Sequence, residues 1–257
     1  MAQVDVNGLS LRYDESGAGE PLILLHGLNA DRRQFDCFRP HLGDGIRAIA
    51  PDQRDGPDSP FDAPYAMADH ADDAAELIAQ LCGGAAHVFG TSYGGAVAMT
   101  LAIRHPHRVK TLTLGATAPC FDQFKAPDVA SVAEQGAVAV RRFVMEHFFT
   151  PDAIDHDRAL MQAVEDSFVE RSPQAGTRRM AAMKGHDVRD RLSHISAPTL
   201  VLQGEFDPII APEVSRSLAG AIPGARLAIL PGVRHGISMQ GAGHVAGLVR
   251  DHVLAPA

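Results

Sequence analysis

The 257-residue sequence predicts an α/β fold, a mostly parallel sheet with helices on both faces, interrupted by one long helical insertion. Three observations carry that expectation. Short apolar runs closed by Gly, Pro or Asp alternate with segments of helical period through most of the chain, which is the pattern of βαβ units. Several of those runs are continuously apolar, as strands covered on both faces require. Residues 120–196 alone break the rhythm, with three or four helical patterns and no convincing strand.

Taken in order, residues 4–6 and 9–13 alternate apolar and polar side chains around Asn7-Gly8, a hairpin signal that predicts an antiparallel pair at one sheet edge. Residues 14–20 read as a polar, glycine-bearing turn. Residues 21–26 and 46–50 are buried-strand runs, and 53–64, rich in Pro, Asp and Gly, reads as loop. Ala71, Ala74, Ala75, Leu77, Ile78 and Leu81 fall at helical spacing across residues 67–81. A strand over residues 88–90 with a helix over 96–103, then strands at 109–114, 198–203 and 226–230, and helices at 212–219 and 241–254 complete the alternation. Within the insertion, 137–149 and 159–169 are the clearest helices. The expected division is a core of 1–119 and 197–257 with a helical cap of 120–196 over the C-terminal ends of the strands, where open α/β sheets bind ligands.

Composition excludes several functional classes. Hydrophobic residues at 46% and charged residues at 21% match an ordinary globular protein. A formal charge of −8 with no basic cluster argues against nucleic-acid binding, which needs a concentrated positive face. Cys37, Cys82 and Cys120 are odd in number and lack metal-ligand spacing, so a reducing compartment is expected, with Cys82 packed as a small hydrophobe. The first residues carry no charged segment followed by an apolar one, and no apolar run approaches membrane-spanning length. A cytoplasmic protein without a membrane partner is the expectation; the sequence is silent on oligomeric state.

The chemistry is concentrated in residues 88–95, Val-Phe-Gly-Thr-Ser-Tyr-Gly-Gly. A strand, a sharp turn and a small-residue helix with a serine at the apex lift a hydroxyl above a parallel sheet, and glycines flank it because the neighbouring backbone comes too close for a Cβ. The bland alternative is a strand-to-helix turn with a capping serine. A serine nucleophile needs a base, and the base a carboxylate to orient it. The chain supplies both, each just past a strand: Asp207 in Gly-Glu-Phe-Asp-Pro and His235 in Pro-Gly-Val-Arg-His-Gly. Glu205 and Asp122 are the rival acids.

Of thirteen histidines, His244 and His252 read as surface residues of the last helix. His105 and His107 flank Pro106 without a third ligand nearby, so no metal is expected. His26 reads as an imidazole that holds the tight Gly27 turn, and is carried also as a substrate-pocket candidate. Oxyanion donors are expected from the backbone N–H groups of Tyr93, which follows the serine, and Leu28, in the loop after an adjacent strand.

These features together (His26-Gly27, Gly90-Thr91-Ser92-Tyr93-Gly94-Gly95, Gly204-Glu205-Phe206-Asp207-Pro208 and His235) resemble the α/β-hydrolase fold family over essentially the whole chain. The resemblance implies an eight-stranded sheet, Ser92, Asp207 and His235 as nucleophile, acid and base, oxyanion amides at Leu28 and Tyr93, residues 120–196 as the cap, and no metal or organic cofactor. Serine at the nucleophile position departs from the haloalkane dehalogenases of the fold, which use aspartate. Where the family often has D-x-R-G-x-G-x-S, this chain has Asp52-Gln53-Arg54-Asp55-Gly56-Pro57-Asp58-Ser59, so a stiffer, reshaped loop is expected. Gln240 stands where relatives often carry glutamate.

The resulting expectation is a serine esterase or lactonase acting through an acyl-enzyme on a small or medium substrate, with activity falling as pH drops through roughly 6–7. Alternatives are carbon–carbon bond hydrolysis with the same triad, a cofactor-free perhydrolase, and a non-catalytic binding module. Perhydrolases of this fold commonly carry tryptophan beside the oxyanion loop; this chain has none, and Phe35 stands at the approximate position. Substrate-pocket candidates are Phe121, Phe124, Phe143, Phe148 and Met145. Of the cap arginines (Arg141, Arg142, Arg158, Arg171, Arg178, Arg179), one is a candidate grip for a substrate carboxylate, and a solvated helix face is expected for most of them.

Overall fold

The computed structural model describes residues 2–121, 132 and 135–255. Its strands are β1 (Ala2–Val6), β2 (Leu9–Gly17), β3 (Gly19–Leu25), β4 (Gly45–Pro51), β5 (Ala86–Thr91), β6 (Val109–Gly115), β7 (Thr199–Gly204) and β8 (Arg226–Leu230). They form one eight-stranded sheet in the order β1-β2-β4-β3-β5-β6-β7-β8. The β1–β2 and β2–β4 pairs are antiparallel and the remaining pairs are parallel. The predicted hairpin sits at the sheet edge. Asn7 at φ 48° and Gly8 at φ 77° give it the doubly left-handed turn that matches strand twist.

The expected turn over 14–20 is mostly strand. β2 continues to Gly17 because residues 13–17 pair with residues 51–47 of β4, which leaves Ala18 alone to join β2 to β3. This polar second half of β2, beyond the reach of β1, lacks the apolar alternation that marks the others.

The apolar runs are continuous because the sheet is covered on both faces. Along β3, Ile23 and Leu25 belong to one buried cluster and Leu22 and Leu24 to the other; Val88 against Phe89, and Val201 against Leu200 and Leu202, split in the same way. The first cluster is completed by helices α1 (Met67–Leu81), α2 (Tyr93–Arg104) and α7 (Pro212–Ala221), the second by α9 (Ala242–Val253) and the short 3₁₀ turn at Arg32–Phe35. His252, expected on the surface of the last helix, is buried. Its Nε2–H donates to Pro198 O at 3.1 Å, and Arg226 Nη2 donates to its Nδ1 at 3.2 Å.

Between β6 and β7 lie α3 (Ala137–Phe148), α4 (Pro151–His156), α5 (Arg158–Ser167) and α6 (Pro173–Lys184). Their starts are written locally. Thr150, Asp157 and Ser172 each accept from a first-turn N–H, and Pro151 and Pro173 occupy first helical positions. The helices share an apolar cluster of Val144, Phe149, Leu160 and Val164. The segment meets the core at the loops that leave the strands. Val169 N donates to Asn29 O at 3.3 Å, Val188 N to Pro119 O at 2.9 Å, and Gly236 N to Phe148 O at 2.8 Å. These loops follow β3, β6 and β8, so the inserted helices lie across the C-terminal ends of the parallel strands. A short helix, α8 (Ile237–Gln240), precedes α9. Among the described residues no helix is long and apolar enough to cross a membrane.

Candidate active site

Ser92 sits between β5 and α2 at φ 52°, ψ −116°, a conformation that a non-glycine residue holds only where its surroundings over-determine it. They do so from both sides of the peptide chain. Ser92 N donates to Gly115 O at 2.9 Å, and its carbonyl accepts from Gly95 N at 2.9 Å and from the Thr117 hydroxyl at 2.7 Å. The flanking glycines have a steric job. A Cβ on Gly90 would lie 2.2 Å from Gly94 O, and one on Gly94 would lie 2.0 Å from Leu25 O.

Asp207 and His235 leave the neighbouring strands β7 and β8 and meet. His235 Nδ1 lies 2.8 Å from Asp207 Oδ2, and both side chains are buried. A carboxylate oxygen only accepts here, so Nδ1 carries the proton and Nε2 is left as the basic nitrogen. The carboxylate is itself fixed, with Oδ1 accepting from Ile209 N at 2.8 Å and Ile210 N at 3.0 Å, and Oδ2 accepting from Gln203 Nε2 at 3.0 Å. Gln203 is locked in turn by the Ser215 hydroxyl at 2.6 Å. Phe148 stands edge-on to the His235 imidazole at 4.6 Å between centroids. Neither rival acid takes this place. Glu205 accepts from Gly232 N, and Asp122 lies outside the described residues.

The loop after β3 is braced by Gln34. Its Oε1 accepts from Gly27 N at 2.9 Å, while Nε2 donates to Thr91 Oγ1 at 2.8 Å and Ser238 Oγ at 2.9 Å. One amide thereby ties together the loop carrying Leu28, the strand that leads into Ser92 and the helix after His235. His26 is fully buried. Its ring holds the turn as expected, with Nδ1 at 2.8 Å from Gly27 O; burial, then the nearby Arg179 charge, pushes its pKa well below the ordinary histidine value, so the ring is neutral with the proton on Nδ1. Tyr93 is buried with its hydroxyl 2.7 Å from His70 Nε2, and burial also holds His70 neutral.

The arginines of the inserted helices divide. Arg141 pairs with Glu165 on the surface. Arg171, Arg178 and Arg179, by contrast, turn inward, against the expectation of a solvated face. Arg171 donates to Asp55 O at 2.9 Å and Ala30 O at 2.6 Å. Arg178 grips both oxygens of Asp55 at 2.9 and 2.7 Å. Arg179, 1% exposed, donates to Leu28 O at 3.1 Å and Arg54 O at 2.7 Å. Arg54 in turn is bidentate on buried Asp73, at 2.6 and 2.9 Å. Asp55 stands where the family pattern has glycine, and it keeps a glycine-like φ of 59°.

Ser92 and His235 line one cavity, together with Gly27, Leu28, Gln34 and Ser238 at its floor. Its walls are apolar and come largely from the inserted helices, with Phe143, Val144, Phe148, Phe149, Val164, Phe168 and Met183, joined by Ile209 and Met239 from the core. No charged side chain is among the described residues that line it. Of the pocket candidates, Phe143 and Phe148 line the cavity. His26, Phe121 and Met145 do not: Phe121 packs in the main core and against His186, and Met145 packs among the inserted helices. Phe124 lies outside the described residues. Phe35, considered as a stand-in for tryptophan, is instead fully buried with Phe38 and Phe89 in the core cluster on one face of the sheet.

A pimeloyl-[acyl-carrier protein] methyl ester esterase of Neisseria meningitidis is 29% identical over 252 residues, covering 92% of this chain and 93% of the relative. A putative carbamate hydrolase of Variovorax paradoxus is 31% identical over 252 residues, covering 90% of this chain and 91% of the relative. The solved enol-lactonase of Burkholderia xenovorans superposes with a TM-score of 0.88 at 26% identity, covering 97% of this chain and 98% of that one. The family model described as serine aminopeptidase, S33 matches residues 20–240. On that match, and with the eight-stranded sheet of the fold in place, the chain belongs to the S33 family and is an enzyme of the α/β-hydrolase superfamily.

Proposed function

We propose that the enzyme hydrolyses uncharged, predominantly apolar carboxylic esters or lactones through an acyl-enzyme on Ser92. The observation that carries this reading is the single cavity in which Ser92 and His235 meet apolar walls with no charged side chain among the described lining residues. His235 Nε2 takes the Ser92 Oγ proton as Oγ bonds to the substrate carbonyl carbon. The carbonyl π pair moves to oxygen, and the Leu28 and Tyr93 N–H groups hold the resulting oxyanion. Collapse breaks the ester C–O bond, and His235 returns its proton to the leaving alkoxide. His235 then deprotonates a water that attacks the acyl carbon, and the acid leaves as Ser92 regains its proton. Asp207 keeps the imidazole in the required tautomer throughout.

In this reading residues 120–196 act as the cap that supplies the acyl pocket. The wall composition supports a neutral substrate. Arg178 and Arg179 direct their donors to the core loops. Arg171 gives Nε and Nη2 to the Asp55 and Ala30 carbonyls and leaves Nη1 without a partner among the described residues. None of the three lines the described cavity, where a substrate carboxylate would have to be gripped. That weighs against dienone acids as substrates for carbon–carbon cleavage. Kinship with a methyl ester esterase and an enol-lactonase supports ester or lactone chemistry in general.

The test is a substrate panel of p-nitrophenyl esters with acyl chains of increasing length, simple lactones, enol-lactones bearing a carboxylate, and dienone acids. Neutral esters or lactones should turn over fastest. Carboxylate-bearing substrates with the highest kcat/KM would sink the substrate claim, and ester turnover by a clean Ser92→Ala preparation would sink the nucleophile.

A further inference from the structure

Arg179 lies behind the cavity rather than in it, yet it touches both halves of the proposed oxyanion hole. On one side, its Nε donates to Leu28 O at 3.1 Å and its Nη2 approaches Gly27 O at 3.5 Å. Gly27 C=O and Leu28 N–H belong to the same peptide unit. That carbonyl also receives the His26 Nδ1–H at 2.8 Å. On the other side, the guanidinium carbon lies 4.4 Å from the centroid of the Tyr93 ring, and the ring is pinned at its far end by His70. The third arm, Nη1 to Arg54 O at 2.7 Å, anchors the group to the loop after β4. Arg179 sits on α6 of the inserted segment, so a cap helix sets the position of both donor peptides.

We infer that Arg179 is a positioning residue for the oxyanion hole, fixing the Leu28 and Tyr93 amides relative to each other. This deepens the proposed acyl-transfer reading and rests on it. Two physical effects follow from the contacts. The planar fork gives the 27–28 peptide one orientation, which sets where the Leu28 N–H points. Donors on the Gly27 carbonyl also polarise that peptide and strengthen its N–H as a donor to a developing negative charge. Both effects act when the carbonyl oxygen becomes an oxyanion and little when neutral substrate binds. Arg179 therefore acts on kcat through backbone groups, without touching substrate.

The experiment compares wild type, Arg179→Lys and Arg179→Gln on one neutral p-nitrophenyl ester. It also measures inhibition by an alkyl trifluoromethyl ketone, which forms an oxyanion on the nucleophile, and by the matched alcohol, which does not. Misplacing a reacting group by about 1 Å costs on the order of 100-fold, and losses of that order in kcat are expected for Arg179→Gln with KM within about threefold. Trifluoromethyl ketone affinity should fall in parallel with kcat, while the alcohol binds as in wild type. Arg179→Lys, which keeps the charge but gathers its donors on a single nitrogen, should fall between the two. A thermal melt reports folding, and Arg179→Lys carries the test if Arg179→Gln does not fold. A rise in KM with kcat unchanged, or ketone affinity equal to wild type in a folded variant, overturns the proposal. Failure of the underlying reading is distinguishable, because wild type itself would then resist the ketone and Ser92→Ala would keep its activity.

Discussion

His235 Nδ1 and Asp207 Oδ2 are 2.8 Å apart in a buried contact whose carboxylate also accepts from two backbone amides and Gln203. Asp207→Asn would keep the shape and invert the logic. An amide nitrogen facing Nδ1 moves the imidazole proton to Nε2, the nitrogen that must be basic. In proteases with this triad the corresponding change costs about 10⁴ in kcat. We expect a loss of that order with KM little changed, measured on a neutral p-nitrophenyl ester. A loss under tenfold would mean that His235 is oriented by something else.

Asp55 combines a left-handed backbone with a clamped side chain. Its φ is 59°, and its carboxylate is held by Arg178 and by the Tyr65 hydroxyl at 2.8 Å. Asp55→Ala loses the clamp and keeps the backbone strain, whereas Asp55→Gly loses the clamp and relieves the strain. The alanine variant should be less stable than the glycine variant by about 1 kcal/mol, read by chemical denaturation. Equal stability of the two would show that the backbone conformation relaxes once the clamp is gone.

Five buried histidines, His87 and His252 among them, set a direction for pH, and three of them set it most strongly. Burial pushes His186 down to about 4, and His26 and His70 lie well below the ordinary value of 6.5. Above pH 6.5 neither the folded nor the unfolded state binds these protons. Below it the unfolded chain takes them up and the folded chain does not, so stability is lost as pH falls. The slope is about 1.4 kcal/mol per pH unit for each such histidine until its folded-state pKa is reached. His186 packs beside Phe121, its charged neighbours are Asp187 and Arg191, and its Nε2 has no hydrogen-bond partner among the described residues. His186→Leu should therefore match wild type at pH 7 and melt higher than wild type at pH 5. A variant with the same loss between pH 7 and pH 5 would remove His186 from the account.

Residues that act through local geometry were legible in the sequence. Asn7-Gly8 announces its turn, Gly90 and Gly94 announce the close approach around Ser92, and Asp207 and His235 each follow a strand whose apolar run is unmistakable. Residues that act through distant partners were not. Arg179 looks like any polar position on a helix, because its acceptors at Leu28 and Arg54 are remote in the chain and a solvated arginine would read the same. Gln34 and Gln203 were invisible for that reason, although each holds a piece of the site. The same ambiguity hid His252, whose partner Pro198 lies in the segment just before β7, remote in the chain. The loop over 52–59 departs from the family pattern in sequence, and that departure is all that the sequence shows of it. That Asp55 retains a glycine's φ follows from Arg178 and Tyr65, which no local pattern reveals.

The proposed acyl pocket makes the last prediction. Val164 on α5 is buried in the apolar cluster of the inserted helices and lines the cavity. Val164→Phe adds bulk at that wall without adding charge and without touching Ser92, His235 or the oxyanion loop. A short acyl group leaves that space empty, so turnover of the acetyl ester should stay within about threefold. A longer acyl chain must now give up contact or shift, and each methylene excluded from an apolar pocket is worth about 10-fold or more in kcat/KM. The octanoyl ester should lose at least that much, mainly through KM. Overpacking also costs stability, by about 1–3 kcal/mol, so the comparison is made well below the variant's melting point. Equal losses for acetyl and octanoyl esters would mean that the chain does not lie along the α5 wall, and the alcohol portion of the substrate would then be the better occupant of that space.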